Sequence, residues 1–574
     1  MEKSTKILII IYTIIVFLQI VISYNIPTSS SFSDDYQYLK MSQSFFHNLN
    51  FKVHDIYSHQ FPPLYPILIS ITNIFKDSTL AYTAIKIINA LLSSLIIIPI
   101  FLLSKEFMSN KSAILCSTLV AILPSNFAKT SYIMSENLFY VLFAFSVFFL
   151  YKSLTRNRYS DNIFAGIFIG LSFLTRIHGI ILIITSLIIF LYLFIKSKEV
   201  DYKKILLILI ILITVSPWII RNLLLFGFNL SSIFGIYLSE SKSLDTPTRI
   251  YPLLIWLINY IGYLLLSSGI IFMIFTFIKT KNKNLKKLKF LVLIITIITL
   301  FIAANHHIKS SYIVYHLNNI IYFLSGSVGR YVDFILPLIF VTGFASYLEY
   351  KKDKKLIKEK SLKLIFIIAG ILISIASFHL ILGPLFPYNN ISLAWLGSLK
   401  YLIDLVIYSK TSFKLTFTLM SSIIIVSLSI ILMVLSFLIT KKRLFIKFIT
   451  FLLVFFLLNG LFVSSIIYYN TNNKIYNLDQ IQLSLWLNKY DNDKTSNILI
   501  DEKYEGSLKN YNQSNLYGGD KDYSINTFIG FWLNDNIIIG NISDLDYIDY
   551  VITKDKLNLK LIKEKNGIYI YKLR

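Results

Sequence analysis

The sequence predicts a polytopic α-helical membrane protein that carries a small α/β domain at its C-terminal end. The 574-residue chain is 55% hydrophobic and its mean hydropathy is +0.65. Apolar runs of about 17–25 residues, long enough to cross a bilayer, recur along it. From residue 469 onward the composition becomes polar, and about 105 residues suffice for a domain with its own core. We therefore predict a membrane domain over 1–468 and an extracytoplasmic α/β domain over 469–574.

About thirteen apolar runs have the length of membrane-spanning helices. Asp34-Asp35 closely follows the first run, so we interpret that run as a retained span rather than a cleaved signal peptide. Only Thr175-Arg176 separates the short fifth run from the sixth, and a single broken hairpin is the alternative there. The predicted spans cover residues 7–24, 80–103, 112–130, 135–152, 162–174, 177–196, 204–225, 251–278, 287–304, 331–349, 362–383, 413–439 and 444–468.

Positively charged residues are concentrated in alternate loops between these spans. Loop 279–289 carries six lysines and loop 351–363 carries seven, whereas the longer loop between them, 305–330, carries few cations. Because loops rich in Lys and Arg stay in the cytoplasm, we predict a cytoplasmic N-terminus and place the C-terminal domain outside the plasma membrane. The net charge of +24 follows from these loops, so it indicates topology rather than a nucleic-acid partner.

The outer loops are long, so we expect function on that side. In the first outer loop, 25–79, residues 34–46 and the segment after Pro66 predict two helices that lie in the membrane interface. The first of these helices places on one face Tyr38, Leu39, Phe45 and Phe46. In the tail, the pattern predicts a helix at 477–489 and strands at 497–501, 547–552 and 567–571. The single cysteine, Cys116, excludes a disulfide and a cysteine-based metal site within one chain.

The pair Asp34-Asp35 lies just after the first span, where a carboxylate at the membrane surface is costly. One interpretation is structural, because Ser33 would cap a helix whose first turn favours acidic residues. The other is catalytic, with Asp34 as a general base and Asp35 as a positioning or metal-binding partner. Adjacent residues of a helix point about 100° apart, so only one of the pair would face a substrate.

Two further motifs on the outer side also have two interpretations. The segment from His59 to Pro66, which contains Phe61-Pro62-Pro63, either starts a helix or forms a rigid floor for a lipid phosphate, with His59 as donor. Glu136, at the outer end of the fourth span, either starts a helix or orients a sugar hydroxyl or a cation.

Cationic residues fall near the outer ends of four different segments, namely Lys129, Arg176, Arg221 and Arg330. Each alone is explained as an anchor that reaches the membrane interface. Several of them converging would form a phosphate site, because guanidinium groups match phosphate oxygens. Loop 305–330 contains His306-His307 and His316, but adjacent histidines are not the spaced ligand set that zinc prefers.

Taken in chain order, these motifs resemble the GT-C superfamily of membrane glycosyltransferases. The matching motifs are the acidic pair, Pro-Pro-Leu-Tyr-Pro, Met-Ser-Glu, Thr-Arg-x-x-Gly, Pro-Trp-x-x-Arg-Asn and Gly-Arg-Tyr. The likeness is closest to the group of protein O-mannosyltransferases and lipid A aminoarabinose transferases, which is glycosyltransferase family 39-like. It covers residues 1–468 and implies a GT-C-like fold, and the tail resembles the variable extracytoplasmic domain of many such enzymes.

The resemblance implies inverting transfer of a sugar from a polyprenyl- or dolichyl-phosphate donor to a protein, lipid or glycan acceptor. Asp34 would then be the general base, and Glu136 and Tyr331 would position the sugar or the acceptor. The residues matching those that hold the donor phosphate are Arg330 and, after it, Lys129, Arg176 and Arg221. His59, from the segment before Pro66, is a further candidate for binding that phosphate. Asp35 stands where relatives often have Glu, so a divalent cation (Mg²⁺ or Mn²⁺) held by Asp35 and Glu136 is left open.

Two other classes of function are alternatives. A transporter or flippase of lipid-linked sugars would have charged residues at the bilayer midplane and paired broken helices. A non-catalytic scaffold would use the tail to bind glycans. Transfer of sugar from a polyprenyl-phosphate donor by the purified protein distinguishes the enzyme from both.

Overall fold

The protein is described by a computed structural model that covers most of the chain. The predicted loops 226–250, 305–330 and 384–412 and the tail segment 502–524 fall wholly or partly outside the described residues. The described residues are 2–30, 32, 34–54, 56–59, 61–234, 246–310, 314–317, 320–323, 328–382, 389–396, 419–441, 444–491, 496–501, 525–534, 536–540, 542 and 547–574.

Helices dominate the structure, as the composition predicts. In chain order the α-helices are α1 (Glu2–Tyr24), α2 (Asp34–Asn48), α3 (Leu64–Ser70), α4 (Ser78–Ser94), α5 (Ile97–Lys105), α6 (Asn110–Ala121), α7 (Pro124–Phe127), α8 (Glu136–Thr155), α9 (Tyr159–Thr175), α10 (Ile180–Ser197), α11 (Tyr202–Phe226), α12 (Leu230–Phe234), α13 (Thr246–Ser267), α14 (Ile271–Phe277), α15 (Lys283–Ser310), α16 (Leu336–Lys352), α17 (Glu359–Leu382), α18 (Leu419–Lys441), α19 (Phe445–Asn470), α20 (Asp479–Tyr490) and α21 (Ile525–Phe531). The strands are β1 (Lys52–Val53), β2 (Ile56–Tyr57), β3 (Val314–Leu317), β4 (Ile320–Phe323), β5 (Asn497–Asp501), β6 (Asn536–Gly540), β7 (Tyr550–Thr553), β8 (Lys560–Lys565) and β9 (Ile568–Lys572).

The multi-pass character of the chain is confirmed, but the predicted number of spans is not. Eight helices of the described residues are long and apolar enough to cross a membrane. The number rises to ten if each of two bent pairs is one span: Asn110–Ala121 with Pro124–Ser131, bent by 63°, and Pro252–Ser267 with Ile271–Phe277, bent by 115°. The predicted fifth span corresponds to α9, which has only 17 residues and is therefore shorter than most bilayer-crossing helices.

Two compact units are formed by the chain. Unit 1 comprises Met1–Phe17, Leu92–Lys129 and Glu136–Val463. Unit 2 comprises Leu18–Leu91, Thr130–Ser135 and Ser464–Arg574, so it combines the first outer loop with the C-terminal tail. The secondary structure predicted for the tail is confirmed, whereas the domain boundary after residue 468 stays a prediction.

Small residues allow close helix packing in unit 1. Helix α9 packs between α8 and α11. On α9, a Cβ atom at Gly166 would lie 2.8 Å from the side chain of Ile210, and one at Gly170 would lie 2.5 Å from that of Thr214. Because real Cβ atoms do not approach so closely, the four-residue spacing of these glycines is what lets α9 lie directly against α11.

The tail forms a five-stranded mixed sheet in unit 2. Its strand order is β6-β5-β7-β9-β8, with β5 parallel to β6 and β7, and β9 antiparallel to β7 and β8. Successive residues of β5 point to opposite faces: Ile498 and Ile500 join a core with Leu487 of α20, while Leu499 packs with Val551 on the other face. The sheet therefore has a core on each side.

Two residues of the apolar face predicted for helix α2 are buried within the protein, and the interfacial placement of the helix stays a prediction. Tyr38 is 2% exposed and Leu39 is 6% exposed, and α2 packs against α3 and α21. Helix α3 and the turn after it instead leave Leu68 and Ile71 exposed, and the interfacial placement of that segment stays a prediction. On the apolar face recognised from the sequence, Tyr38 and Leu39 pack within the protein, whereas Phe46 is 40% exposed.

Candidate functional site

The acidic pair occupies the first turn of α2, where the helix dipole favours negative charge. The two side chains have different surroundings. Asp35 is completely buried, whereas Asp34 is only partly buried. Of the two carboxylates, Asp34 is therefore the one that a substrate in solution can approach.

Asp35 binds two segments that are distant in sequence. One of its carboxylate oxygens, Oδ2, accepts a hydrogen bond from the hydroxyl group of Ser29. The same oxygen accepts a hydrogen bond from the backbone N–H of Ile133 at 3.2 Å. Both of these donors are neutral. The Asp35 carboxylate therefore connects the segment at Ser29 to the segment at Ile133.

Other side chains of unit 2 hold the same segment, 130–135. The hydroxyl group of Tyr38 on α2 donates to Ser135 Oγ at 2.8 Å. From α4, the Tyr82 hydroxyl donates to the Ser131 carbonyl oxygen at 2.7 Å, and the Asn89 amide donates to two carbonyl oxygens of the segment at 2.9 and 3.2 Å. Segment 130–135 is thus fixed by α2 and α4 together.

The predicted floor at His59–Pro66 packs around Tyr38. The ring of Phe61 lies 4.8 Å from that of Tyr38, and the ring of Tyr65 lies 5.3 Å from it. The Tyr65 hydroxyl donates to Asn89 Oδ1 at 2.9 Å. His59 is partly exposed, and its assignment as a phosphate donor stays a prediction.

Unit 1 contains a second cluster, built around Glu136 at the start of α8. Glu136 is 3% exposed, and its carboxylate forms an ion pair with the guanidinium group of Arg176. Arg330 Nη1 lies 3.8 Å from Glu136 Oε1. Lys129 Nζ donates to the backbone carbonyl of Glu136 at 3.1 Å and lies 3.2 Å from the ring centre of Tyr140. Three of the four predicted cationic residues therefore meet at Glu136, two at its carboxylate and Lys129 at its backbone carbonyl. We call this group the Glu136 cluster.

Tyr331 lies beside this cluster and is flanked by two histidines. Its ring stacks on that of His178, with centres 5.1 Å apart, and its hydroxyl is 3.2 Å from His306 Nε2. The guanidinium carbons of Arg176 and Arg330 lie 5.9 and 5.6 Å from the Tyr331 ring centre. Tyr331 is therefore in contact with both guanidinium groups that face Glu136.

Asp333 is a buried carboxylate that the sequence interpretation missed. It accepts hydrogen bonds from the Tyr263 hydroxyl at 3.1 Å and the Ser392 hydroxyl at 2.9 Å. The signal was present, because a carboxylate at the start of an apolar span is costly and usually has a function. Its partners come from other helices and are not visible in the local sequence.

Arg221, the fourth predicted cationic residue, contacts its own helix. Its guanidinium group lies 4.6 Å from the ring centre of Trp218 and donates to Asn222 Oδ1 at 2.7 Å. These contacts are typical of the interfacial anchor that was the alternative interpretation.

The two carboxylates proposed for a divalent cation do not fit one well. Oδ2 of Asp35 already accepts two hydrogen bonds, and Glu136 faces two guanidinium groups, which compete with a metal for its charge. Among the residues whose side chains the structure describes, no group of three His, Cys, Asp or Glu side chains is arranged to hold a metal ion. The side chains of His307 and His316 lie outside the described residues.

Comparisons with known proteins agree with this architecture. Residues 60–220 match the sequence model of a family described as dolichyl-phosphate-mannose-protein mannosyltransferase. The fold is similar to ArnT from Cupriavidus metallidurans in the apo state, with a TM-score of 0.53, 10% identity, and coverage of 99% of this chain and 98% of that chain. It is also similar to ArnT from the same organism bound to undecaprenyl phosphate, with a TM-score of 0.52, 10% identity, and coverage of 93% and 86%. A comparison with curated proteins gave no match.

The chain therefore shares the GT-C-type fold that the sequence resemblance predicts, and the resemblance is confirmed at the level of the fold. The matching family model describes protein mannosyltransferases, one of the groups that the sequence resemblance names.

Proposed function

We propose that the protein is a glycosyltransferase that moves a sugar from a polyprenyl- or dolichyl-phosphate donor to a protein, lipid or glycan acceptor. The reaction takes place at the outer face of the plasma membrane, and the anomeric centre is inverted. The N-terminus is cytoplasmic and the C-terminal tail is extracytoplasmic. The family match over 60–220 and the fold shared with ArnT support this class of reaction.

The observation that carries the proposal is the meeting of Lys129, Arg176 and Arg330 around Glu136. The three cationic side chains outnumber the nearby carboxylates of Glu136 and Asp333. A phosphate leaving group departs more readily when positive groups neutralise it. The Arg330 side chain is 16% exposed and that of Arg176 is 8% exposed. We therefore assign Arg330 to direct contact with the donor phosphate. Arg176 and Lys129, which are more deeply buried, contribute positive charge from a greater distance.

Asp34 is assigned as the general base because it is the accessible member of the pair. Its carboxylate takes the proton from the acceptor hydroxyl group. The hydroxyl oxygen then bonds to the anomeric carbon on the face opposite the phosphate. The bond between that carbon and the phosphate oxygen breaks, and the polyprenyl phosphate leaves with the electron pair. A single displacement of this kind inverts the anomeric centre.

The remaining predicted residues have supporting roles in this proposal. Glu136 orients the two guanidinium groups, and Tyr331 contacts both and positions the sugar. Asp35 positions the two segments that it binds, at Ser29 and at Ile133. His59 and Arg221 are kept as outer contacts of the donor phosphate. No step passes through a metal ion.

The decisive experiment is an assay of the purified protein in sealed vesicles with a polyprenyl-phosphate-linked sugar. The proposal expects polyprenyl phosphate to be released together with a glycosylated acceptor, and protease added outside outward-facing vesicles to remove the C-terminal tail. Release without transfer, or no turnover with any polyprenyl-phosphate sugar, contradicts the proposed enzyme.

A transporter or flippase is the second candidate, and the two bent helix pairs favour it specifically, because transporters build sites at broken helices. In the same vesicles a flippase would move the intact lipid-linked sugar between leaflets without breaking the sugar–phosphate bond. A fluorescent donor analogue, quenched from one side, distinguishes this outcome from transfer.

A further inference from the structure

We propose that the C-terminal tail positions the acid-bearing helix α2, and that the close approach of Gly530 to Tyr36 is the contact that does so. Both residues belong to unit 2. The inference rests on the proposed function, since it assigns the tail a part in placing Asp34. Tyr36 and Gly530 are positioning residues, because neither is assigned a contact with donor or acceptor.

The residues of α2 that contact the tail lie on one face of the helix. They are Tyr36, Lys40 and Gln43, spaced by four and three residues, which places them within about 60° of one another around the helix axis. Asp34 precedes Tyr36 by two residues, so it points about 160° away. The tail therefore contacts the side of α2 opposite Asp34, which leaves the carboxylate accessible while the helix is fixed.

Glycine at position 530 permits the first of these contacts. A Cβ atom there would lie 2.3 Å from the Tyr36 hydroxyl oxygen and 3.0 Å from both a ring carbon of Tyr36 and Ile537 Cδ1. Tyr36 is 1% exposed, so its ring has little room to move aside. Within α21 itself, alanine is favoured over glycine by about 1 kcal/mol. The glycine therefore costs helix stability locally and is explained by the approach of Tyr36.

Polar contacts continue along the same face of α2. Lys40 is 7% exposed, and its ammonium group donates to the Leu533 carbonyl oxygen at 2.6 Å and to Gln43 Oε1 at 2.8 Å. Asn534 accepts from Gln43 Nε2 at 3.0 Å and donates to the Lys76 carbonyl oxygen at 2.9 Å. Since a buried ammonium group is costly without such partners, the turn at 533–534 is needed to keep α2 in this position.

A histidine connects the start of α2 to the sheet. His54 Nδ1 lies 3.3 Å from the Ile537 carbonyl oxygen, which can only accept, so this nitrogen carries the proton. His54 Nε2 is 2.8 Å from the Tyr36 hydroxyl oxygen and accepts from it. Burial raises the pKa of the Tyr36 hydroxyl well above its ordinary value, so it remains a donor. Phe32, just before the acidic pair, packs on Phe528 and Phe531 of α21 with ring centres 4.6 and 5.1 Å away.

The test compares two glycines of the tail. Gly530→Ala should displace Tyr36 and lower kcat by about 10- to 100-fold, the scale expected when a catalytic group is misplaced by about 1 Å, with KM for the donor changed less than about twofold. Hydrogen exchange of the α2 amides should accelerate in the same variant. Gly540→Ala is the matched control, because a Cβ atom there meets only Leu499 Cδ1 at 3.6 Å, an ordinary contact. It should leave both readouts unchanged.

Two further variants keep the inference falsifiable if Gly530→Ala folds poorly. Adding Tyr36→Phe to Gly530→Ala removes the oxygen at 2.3 Å and should restore part of kcat. Asn534→Ala should also accelerate exchange in α2. Unchanged kcat and unchanged exchange in Gly530→Ala would overturn the inference. If the wild-type protein transfers no sugar, the proposed function fails, and the exchange measurement still decides whether Gly530 holds α2.

Discussion

Two buried carboxylates, each near the start of a helix, are held in opposite ways. Asp35 in unit 2 is completely buried and receives neutral donors, the Ser29 hydroxyl and the Ile133 backbone N–H. Glu136 in unit 1 is 3% exposed and faces the guanidinium groups of Arg176 and Arg330. At Asp35 the carboxylate serves as a hydrogen-bond acceptor in a fixed position. At Glu136 its negative charge stabilises two guanidinium groups.

The acidic pair and the Glu136 cluster therefore have different roles in the proposed reaction. The Glu136 carboxylate is engaged by the guanidinium groups of Arg176 and Arg330. This is the arrangement on which the proposed phosphate site depends. Asp34 is the partly exposed member of the acidic pair, and this exposure supports its assignment as the base.

The largest effect should come from replacing the base itself. Asp34→Asn should lower kcat by about 10²- to 10⁴-fold, the usual contribution of general-base catalysis, while the protein still folds and inserts. Asp35→Asn is the matched control, because an amide oxygen can occupy the position of Oδ2 and still accept both hydrogen bonds. Steady-state transfer assays measure kcat for both variants. Equal losses of kcat in Asp34→Asn and Asp35→Asn would contradict the assignment of Asp34 as the base.

A charge-removing substitution should be costly at Glu136. Glu136→Gln keeps the shape but leaves Arg176 buried without its carboxylate, and breaking a buried ion pair costs about 3–5 kcal/mol. Unfolding of the detergent-purified protein should therefore occur at clearly lower temperature or denaturant concentration. Adding Arg176→Met should recover part of the loss. A stable Glu136→Gln protein would mean that charge is unimportant there and would remove the contrast with Asp35.

The smallest effect concerns the acceptor oxygen of Asp35. Asp35→Ala removes the partner of two buried donors, and each unsatisfied buried donor costs about 1–3 kcal/mol. The same unfolding measurement should therefore rank Asp35→Ala below Asp35→Asn in stability. If the two variants unfold alike, the hydrogen bonds to Ser29 and Ile133 do not hold the segment.

Much of the framework could be predicted from local sequence. The apolar runs located the helices, the alternation of residues located strands such as β5, and Thr175-Arg176 marked the break between α9 and α10. The predicted count of about thirteen spans is not confirmed within the described residues. One reason is that an apolar run such as α9 forms a helix of only 17 residues, which is shorter than most bilayer-crossing helices. The face of α2 with Tyr38 and Leu39 was recognised, yet apolar residues look the same whether they face lipid or protein.

The sequence by itself determined which residues are acidic, cationic or aromatic near the outer ends of the spans, because charge in an apolar chain is conspicuous. It also determined the helical spacing of Tyr36, Lys40 and Gln43. Only the tertiary structure decided that Asp35 is buried while Asp34 is partly exposed, and that Arg330 rather than Arg221 approaches Glu136. These contacts join residues about a hundred or more positions apart, such as Asp35 with Ile133. Packing fixes such contacts, and the periodicity of a local segment carries no information about them.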